Sequence, residues 1–484
     1  MSRSLPLVVE VPYADWRRSV AVFAQLPWLV VFDSAQEDPR LGRFSFVAAD
    51  PFERWLVQAD ASGQAAREAF QSLAERTRCF RQVSCPDLPP FQGGAAGLWG
   101  YELNRAFEDV PAARIDDMRT PLLAVGLYDV VLTVDHERGR AWLISQGFPE
   151  TDPASRARRA RDRLDFFRDR LREPAEANGR PIASTMAPRE ALPGQVAVFQ
   201  SLTGEGPHFW SNFSEEAYLA AVSQVVEYIR AGDVFQVNLS QRLACPAAID
   251  SLSLYELLRE ENPAPFAGYC DLGQWQILSS SPERFLRVRD RWVETRPIKG
   301  TRRRTHDPDT DRRIARELLH SQKDRAENVM ITDLLRNDLS RVCLAESVCV
   351  SSLCHLETYE AVFHLVSVIE GRLRESYDAF DLLAASFPGG SITGAPKIRA
   401  MEIIAELEPH ARGAYCGCLG YVGFNGDADF NILIRTLTAA KGWWVFSVGG
   451  GILATSRPED EYAETWHKAE GLLRAIRAAY QRGG

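Results

Sequence analysis

The stretch SPERFLRVRDRWVETRPIKGT, residues 281–301, constrains this chain more than any other. Strand-forming residues (Phe285, Leu286 and Val288, then Trp292, Val293 and Thr295) flank the polar turn Arg289-Asp290-Arg291, a pattern that predicts a β-hairpin. A hairpin folds back on itself, so Glu283 and Lys299, at its two ends, are expected in one pocket. Pro297 stiffens the backbone before Lys299, and Gly300 permits close approach to a ligand. A lysine so placed can act as a nucleophile where desolvation lowers its pKa. Taken alone, a hairpin lysine is more often a solvated surface group.

Length and composition set the outer limits. A chain of 484 residues has material for large cores, and such a length suggests about three domains. Its 45% hydrophobic and 25% charged content is ordinary for a soluble globular protein. The net charge is −9, and no basic tract is interleaved with aromatics, which argues against nucleic acid as a partner. The N-terminus lacks a signal-peptide core and no apolar run reaches the length of a membrane span, so a cytoplasmic protein without membrane contact is expected. The nine cysteines form no C-x-x-C pair, and Cys416 and Cys418 have no histidine at zinc-finger spacing. Reduced structural thiols are the economical reading.

In chain order, residues 1–172 alternate short apolar strands with turns: LPWLVVFD, GRFSFVAAD, RWLVQAD, LLAVGLYDVVLTVD and RAWLISQG. The last two predict a long hairpin around His136-Glu137-Arg138-Gly139. A helix is expected over 65–78, and an arginine-rich amphipathic helix over 153–172, packed through Leu164, Phe166, Phe167 and Leu171. Residues 173–207, rich in Pro, Ala, Gly and Ser, read as a linker or surface excursion before a catalytic core at 208–484. There, Ser214 caps a helix running to Ala231, and VFQVNLSQRLAC forms a strand with Gln236, Asn238 and Ser240 on one face. A long helix over 309–339, a strand over 432–439 that includes ILIRTL, and a C-terminal helix from Glu459 follow. Strands and helices mix without a βαβ beat, so the fold class is α+β with antiparallel sheets.

Several groups are candidates for chemistry. Asp324 and Glu327, and likewise Glu461 and Glu464, are spaced three apart on predicted helices, with Lys468 one turn after Glu464. Two such faces meeting would suit Mg²⁺, although from spacing alone solvated, salt-bridged faces are the commoner outcome. Gly449-Gly450-Gly451, after WWVFSV, suits a loop whose bare N–H groups meet an anionic ligand. Arg435 could clamp a carboxylate if it points inward. PGGSITGAPK, 388–397, lacks the G-K-[ST] ending of a phosphate loop and reads as a glycine-rich turn before a helix. His364, between apolar neighbours, reads first as a core histidine.

In order along residues 209–480, the motifs FQVNLSQR, SPERF, TRPIKGT, KDRAENVMITDLLRNDL, FPGGSITGAPKIRAMEII, IRTLTA, SVGGGI and EYAETWHK resemble the chorismate-binding enzymes. LPWLVVFDSA, GRFSFVAADP and FQGGAAGLWGYELNR extend the likeness more loosely into the N-terminal half. The resemblance implies a large antiparallel β-sandwich with helices packed outside. It implies Glu327 and Glu464 as Mg²⁺ ligands, with Asp324 and Glu461 reaching the ion through water. Gly300, Thr301, Tyr415, Arg435, Gly449, Gly450, Gly451 and Lys468 fall at positions that bind the carboxylates of chorismate, and His364 and Thr393 near the leaving group and ring. PIKGT, with Lys299, resembles the aminodeoxychorismate branch, whereas anthranilate-forming members have alanine there. Gln236 stands where water-adding members have a lysine base. The implied reaction has Lys299 attack C2 while the C4 hydroxyl, protonated by Glu283, leaves; ammonia from a separate glutamine amidotransferase subunit then adds at C4. Ser34, Arg43, Phe44, Pro265 and Phe266 match a site for L-tryptophan, with regulation not expected because the regulatory LLES element reads VFDS here. The competing expectations are anthranilate formation and a non-catalytic subunit binding chorismate or tryptophan.

Overall fold

The computed structural model describes residues 5–36, 41–172, 192, 197–199, 208–305, 307–359 and 362–483. Two large antiparallel sheets stack face to face. The first runs in the order Leu7–Val11, Arg140–Ser145, Val130–Asp135, Phe44–Ala48, Val30–Asp33, Phe266–Asp271, Gln276–Ser281, Thr436–Ala440, Trp443–Ile452, Gln236–Pro246, Phe209–Ser211, Ala197–Phe199. The second centres on the organising hairpin, Arg284–Arg289 with Trp292–Thr295, flanked by Val362–Arg372 and Ala428–Asn431. Both sheets draw strands from before residue 172 and after residue 208: Phe266–Asp271 pairs with Val30–Asp33, and Cys418–Gly423 with Gly94–Trp99. Most of the proposed linker lies outside the described residues. Its Ala197–Phe199 portion adds an edge strand to Phe209–Ser211.

The sandwich is four layers deep. Val30, Phe46, Val131 and Ile277 from one sheet meet Ala96, Leu98, Leu419 and Tyr421 from the other in a shared interior. Their neighbours Val31, Val47 and Leu132 face outward, under the helices Trp16–Phe23, Pro153–Arg172, Ser251–Glu261 and Pro458–Gly483. Helices Gly63–Cys79, Gln322–Ser340 and Ala379–Ser386 cover the second sheet in the same way. Strands covered on both faces have no polar side to present, which is why LVVFD and LLAVGLY are almost continuously apolar.

The structure revises four expectations. LLAVGLYDVVLTVD is two strands, Leu123–Tyr128 and Val130–Asp135, and the chain changes sheet at buried Asp129. The single long helix is two, Pro308–His320 and Gln322–Ser340. Between them Ser321 takes an extended ψ of 109° and its hydroxyl accepts the Asp324 N–H. The ILIRTL strand is likewise broken: Ala428–Asn431 lies in one sheet and Thr436–Ala440 in the other, and Arg435 in the crossing has φ of 51°. The glycine triplet is not a loop but the end of the strand Trp443–Ile452.

The arginine-rich helix packs on Ala160, Leu164 and Phe167, while Phe166 stays exposed. Arg163 reaches inward to Asp50 at 2.7 Å and Asp129 at 3.2 Å, compensating a carboxylate that has no solvent contact. Arg163→Ala is expected to lose about 1–3 kcal/mol in urea unfolding, because buried Asp129 then keeps only the longer contact with Arg159, at 3.6 Å.

Candidate functional site

The organising hairpin forms as its sequence dictates. Asp290 and Arg291 have φ of 46° and 68°, the left-handed pair that a two-residue turn matching strand twist requires. Beyond the open end the chain re-enters the sheet as Ile298–Arg303, with a bulge between Ile298 and Thr301. Gly300 has φ of 78°, and a Cβ there would lie 3.0 Å from Asp324, so helix Gln322–Ser340 packs directly on this turn.

Glu283 and Lys299 meet as the hairpin requires. The Glu283 carboxyl is buried and accepts from the Ser391 hydroxyl at 2.8 Å and from the Ile298 backbone N–H. Burial dominates over these donors and over the nearby Lys299 and Lys468, pushing the carboxyl up to about 7. Lys299 Nζ lies 2.9 Å from Glu327 and donates to the Ser391 carbonyl at 3.1 Å. The expected depression of the lysine pKa is not found. Burial disfavours the ammonium, but the charges of Glu327, Glu283 and Glu464 outweigh it and hold Lys299 above its ordinary value.

Opposite Lys299, Thr301 pairs with His364 across the sheet, and the Thr301 hydroxyl is 2.8 Å from His364 Nδ1. Burial and the positive Arg435 lower His364 to about 4, so the ring is neutral near pH 7. Arg435 projects from its crossover rather than from a strand. Burial lowers its pKa, with Glu283 the opposing charge, and it forms no ion pair among the described residues. A buried guanidinium lacking a counter-charge is suited to a carboxylate ligand. Thr393 and Tyr415 are buried near Arg412, whose guanidinium stands 5.7 Å from the Tyr415 ring.

The strand Trp443–Ile452 pairs with Gln236–Pro246 through Gly449–Gly451, but its other ladder, to Thr436–Ala440, stops at Phe446. The glycine segment therefore keeps one open backbone edge. Its bareness is also steric. A Cβ on Gly449 would lie 2.3 Å from the Leu239 carbonyl oxygen, and one on Gly451 would lie 2.1 Å from Gln236 Nε2 and 2.8 Å from Glu327 Oε1. Above Gly450 stand Glu461, Glu464 and Lys468, the last donating to the Gly449 carbonyl at 2.8 Å.

The structure thus draws Glu327, Glu461 and Glu464 to the glycine strand, leaves Asp324 against Gly300, and gives each carboxylate a cation. Glu327 pairs with Lys299, Asp324 with Arg302 at 2.9 Å, Glu464 with Lys468 at 2.7 Å and Glu461 with Lys323 at 3.7 Å. Among the described residues no three His, Cys, Asp or Glu side chains are grouped to hold a metal ion. The donors themselves, hard carboxylate oxygens, fit Mg²⁺. In the N-terminal half, the Ser34 hydroxyl donates to the Phe44 carbonyl at 2.7 Å, and Arg43 stacks on Phe44 while chelating Asp135. Pro265 and Phe266 lead into the adjacent strand, with the Phe266 ring under Arg284.

Two residues at the centre of the site are absent from the candidates read in the sequence: Ser391, which touches both Glu283 and Lys299, and Arg412, which ties the Ile392 and Asn238 carbonyls together at 3.0 and 2.7 Å. The cluster of glycines in PGGSITGAPK was the available signal for Ser391.

A family model described as chorismate binding enzyme matches residues 31–474. The component 1 of anthranilate synthase from Thermus thermophilus is 43% identical, over 85% of this chain and 83% of that protein. The component 1 of aminodeoxychorismate synthase from Escherichia coli K12 is 40% identical, over 95% of this chain and 97% of that protein. The crystal structure of anthranilate synthase component I from Streptococcus pneumoniae superposes with a TM-score of 0.74 at 28% identity, covering 90% of this chain and 92% of that one. No helix among the described residues is long and apolar enough to cross a membrane.

Two outcomes follow from this geometry. Gly449→Ala drives a Cβ into backbone and should cost about 1–3 kcal/mol in thermal unfolding, whereas Gly451→Ala meets only side-chain ends and should fold while pushing Glu327 away from its place. A folded-state carboxyl pKa near 7 for Glu283 means that the native protein keeps a proton which the unfolded chain has released above about pH 4.5. Stability from this group therefore falls as pH rises from about 4.5 to 7, and Glu283→Gln should gain stability relative to wild type at pH 8 but not at pH 4, measured by denaturant unfolding.

Proposed function

The chain belongs to the chorismate-binding enzyme family, enzymes acting on chorismate, and we propose that it is the component I of an aminodeoxychorismate synthase. The product would be 4-amino-4-deoxychorismate, serving 4-aminobenzoate and folate synthesis. The observation carrying this reading is Lys299, largely withdrawn from solvent at the hairpin end, its side chain 12% exposed, and directed between Glu327 and the Ser391 carbonyl. A lysine held inside a substrate pocket rather than at the surface has the position of a nucleophile.

In this mechanism Arg435, Lys468, Tyr415 and the open N–H edge at Gly449–Gly451 bind the carboxylates of chorismate, with Gly300 and Thr301 closing the turn beneath. Thr393 lines the ring, and neutral His364, oriented by Thr301, hydrogen-bonds near the departing hydroxyl. Lys299, as a free amine, forms a bond to C2; both double bonds of the ring diene shift, from C1=C2 and C5=C6 to C1=C6 and C4=C5, and the C4–O bond breaks. Glu283, carrying a proton near neutral pH, delivers it to the departing oxygen so that water leaves. Ammonia then bonds to C4, both double bonds shift back, the C2–Nζ bond breaks to release Lys299, and the surplus proton on the new amine returns to the Glu283 carboxylate. Glu327 and Glu464, with Asp324 and Glu461 through water, would hold Mg²⁺, which supplies charge stabilisation to a substrate carboxylate and the leaving oxygen. Lys299 is free only when Glu327 turns away from it. The ammonia would come from a glutamine amidotransferase subunit in a heterodimer. The site at Ser34, Arg43, Phe44, Pro265 and Phe266 would hold L-tryptophan as a structural ligand.

A second reading, anthranilate formation, is favoured by the similarity to the Thermus thermophilus protein. Product identification separates the two. Purified chain with chorismate, Mg²⁺ and ammonium should yield 4-amino-4-deoxychorismate, with turnover lost on chelation of the metal. Lys299→Ala should lose this product, and Glu283→Gln should lower kcat about 10²–10⁴-fold, the range for a positioned proton donor. Anthranilate from the wild type would establish the second reading.

A further inference from the structure

Ser391 holds both reacting ends of the hairpin at once. Its hydroxyl donates to Glu283 Oε1 at 2.8 Å and its carbonyl accepts from Lys299 Nζ at 3.1 Å. The two attachment points belong to one residue, so covalent geometry fixes the separation between the carboxyl and the amine. The residue is buried, and no solvent competes for either bond.

The turn carrying Ser391 is itself anchored on three sides. The Thr393 carbonyl accepts the Asn238 N–H at 2.8 Å, and the Ile392 carbonyl accepts from Arg412 at 3.0 Å. Arg412 is paired with Glu408 at 2.7 Å, and Glu408 in turn accepts from the Ser240 backbone and hydroxyl at 2.8 Å. On the third side Gly390 lies against Leu334, so closely that a Cβ would come within 2.6 Å of it. Leu334 is on the helix that carries Glu327. Strand, buried ion pair and helix therefore all bear on the position of one hydroxyl and one carbonyl.

We propose that Ser391 is a positioning residue that sets the distance and orientation between Glu283 and Lys299, so that the two act on opposite ends of one substrate. The inference rests on the roles given above to those two groups. Ser391 neither donates the transferred proton nor attacks. It holds Glu283 in the rotamer from which a proton reaches the leaving oxygen while the amine reaches C2.

Steady-state kinetics with ammonium across pH, on Ser391→Ala and Ser391→Thr beside wild type, test this. The charged and titratable groups facing Glu283 (Lys299, Lys468, Arg435 and Cys416) are unchanged in these variants. Ser391→Ala should lower kcat about 10²-fold, the scale of a misplaced reacting group, with KM for chorismate nearly unchanged. Its alkaline limb should move to higher pH, because the lost hydroxyl hydrogen bond favoured the ionised carboxylate. Ser391→Thr, keeping the hydroxyl, should restore both kcat and the limb. Near-wild-type kcat with an unmoved limb in Ser391→Ala, or a threonine variant as impaired as the alanine one, overturns the proposal. If Ser391→Ala does not fold, Ser391→Cys, a weak donor, is measured instead: a partial loss with a shifted limb supports the role, and wild-type behaviour overturns it. Product identity is read from the same assays. Anthranilate from the wild type would therefore sink the amination reading and the role of Lys299 at C2, whereas the Ser391 comparison would still report whether Ser391 places Glu283.

Discussion

Close approach over bare backbone is the constraint on which the site depends. Gly449–Gly451 continue a strand past the end of one neighbour, and side chains would collide there with Leu239, Gln236 and Glu327. Without side chains, the C-terminal helix can set Glu461, Glu464 and Lys468 against Gly450, while Glu327 reaches Gly451 from another helix. The open backbone edge and the acidic groups are thereby presented to the same small volume. Glycine is costly to order, and the cost is met by two cores that bury both faces of the sheets.

The electrostatics of this volume rest on matched charges. Each acidic group at the strand is matched by a lysine or arginine, so the free protein carries no stranded carboxylate there. Glu283 has no such match within bonding distance and instead retains its proton to about pH 7 because it is buried. Arg435 is the converse, a cation held under desolvation without a paired anion. A substrate bearing carboxylates would relieve that desolvation, and a divalent cation would compete with Lys299 for Glu327. Under the proposed reading, substrate, metal and nucleophile would be coupled through the same few ion pairs.

The sheets explain how distant segments reach one site. Each sheet joins a block of strands from before residue 172 to strands from residue 197 onward, and within the second block the hairpin, the glycine strand and the PGGSITGAPK turn become neighbours in space although separated in sequence. Arg412 and Glu408 fasten this junction from below, with both side chains buried and hydrogen-bonded to backbone of two segments. Their part is to keep the turn under Lys299 and Glu283 from drifting.

What the sequence determined by itself was local or lay in ordered motifs. The polar pair Asp290-Arg291 between strand formers makes the hairpin, and Ser214 caps its helix through the Ala217 N–H. The α+β sandwich and the family followed from motifs in register along most of the chain, because a family's site residues recur with their neighbours. Only the tertiary structure decided the charge state of Lys299, since Glu327 arrives on a separate helix and its attraction outweighs the desolvation that the hairpin alone would suggest. The glycine-rich turn around Ser391 was legible, but its contacts were not: it bonds Lys299 from 92 positions away and Glu283 from 108. The apolar runs LLAVGLYDVV and ILIRTL hid where the chain changes sheets, because burial on both faces erases the alternation that marks a strand's end. Periodicity, turns and caps are settled within a few residues; charge compensation and close approach belong to pairs that only folding brings together.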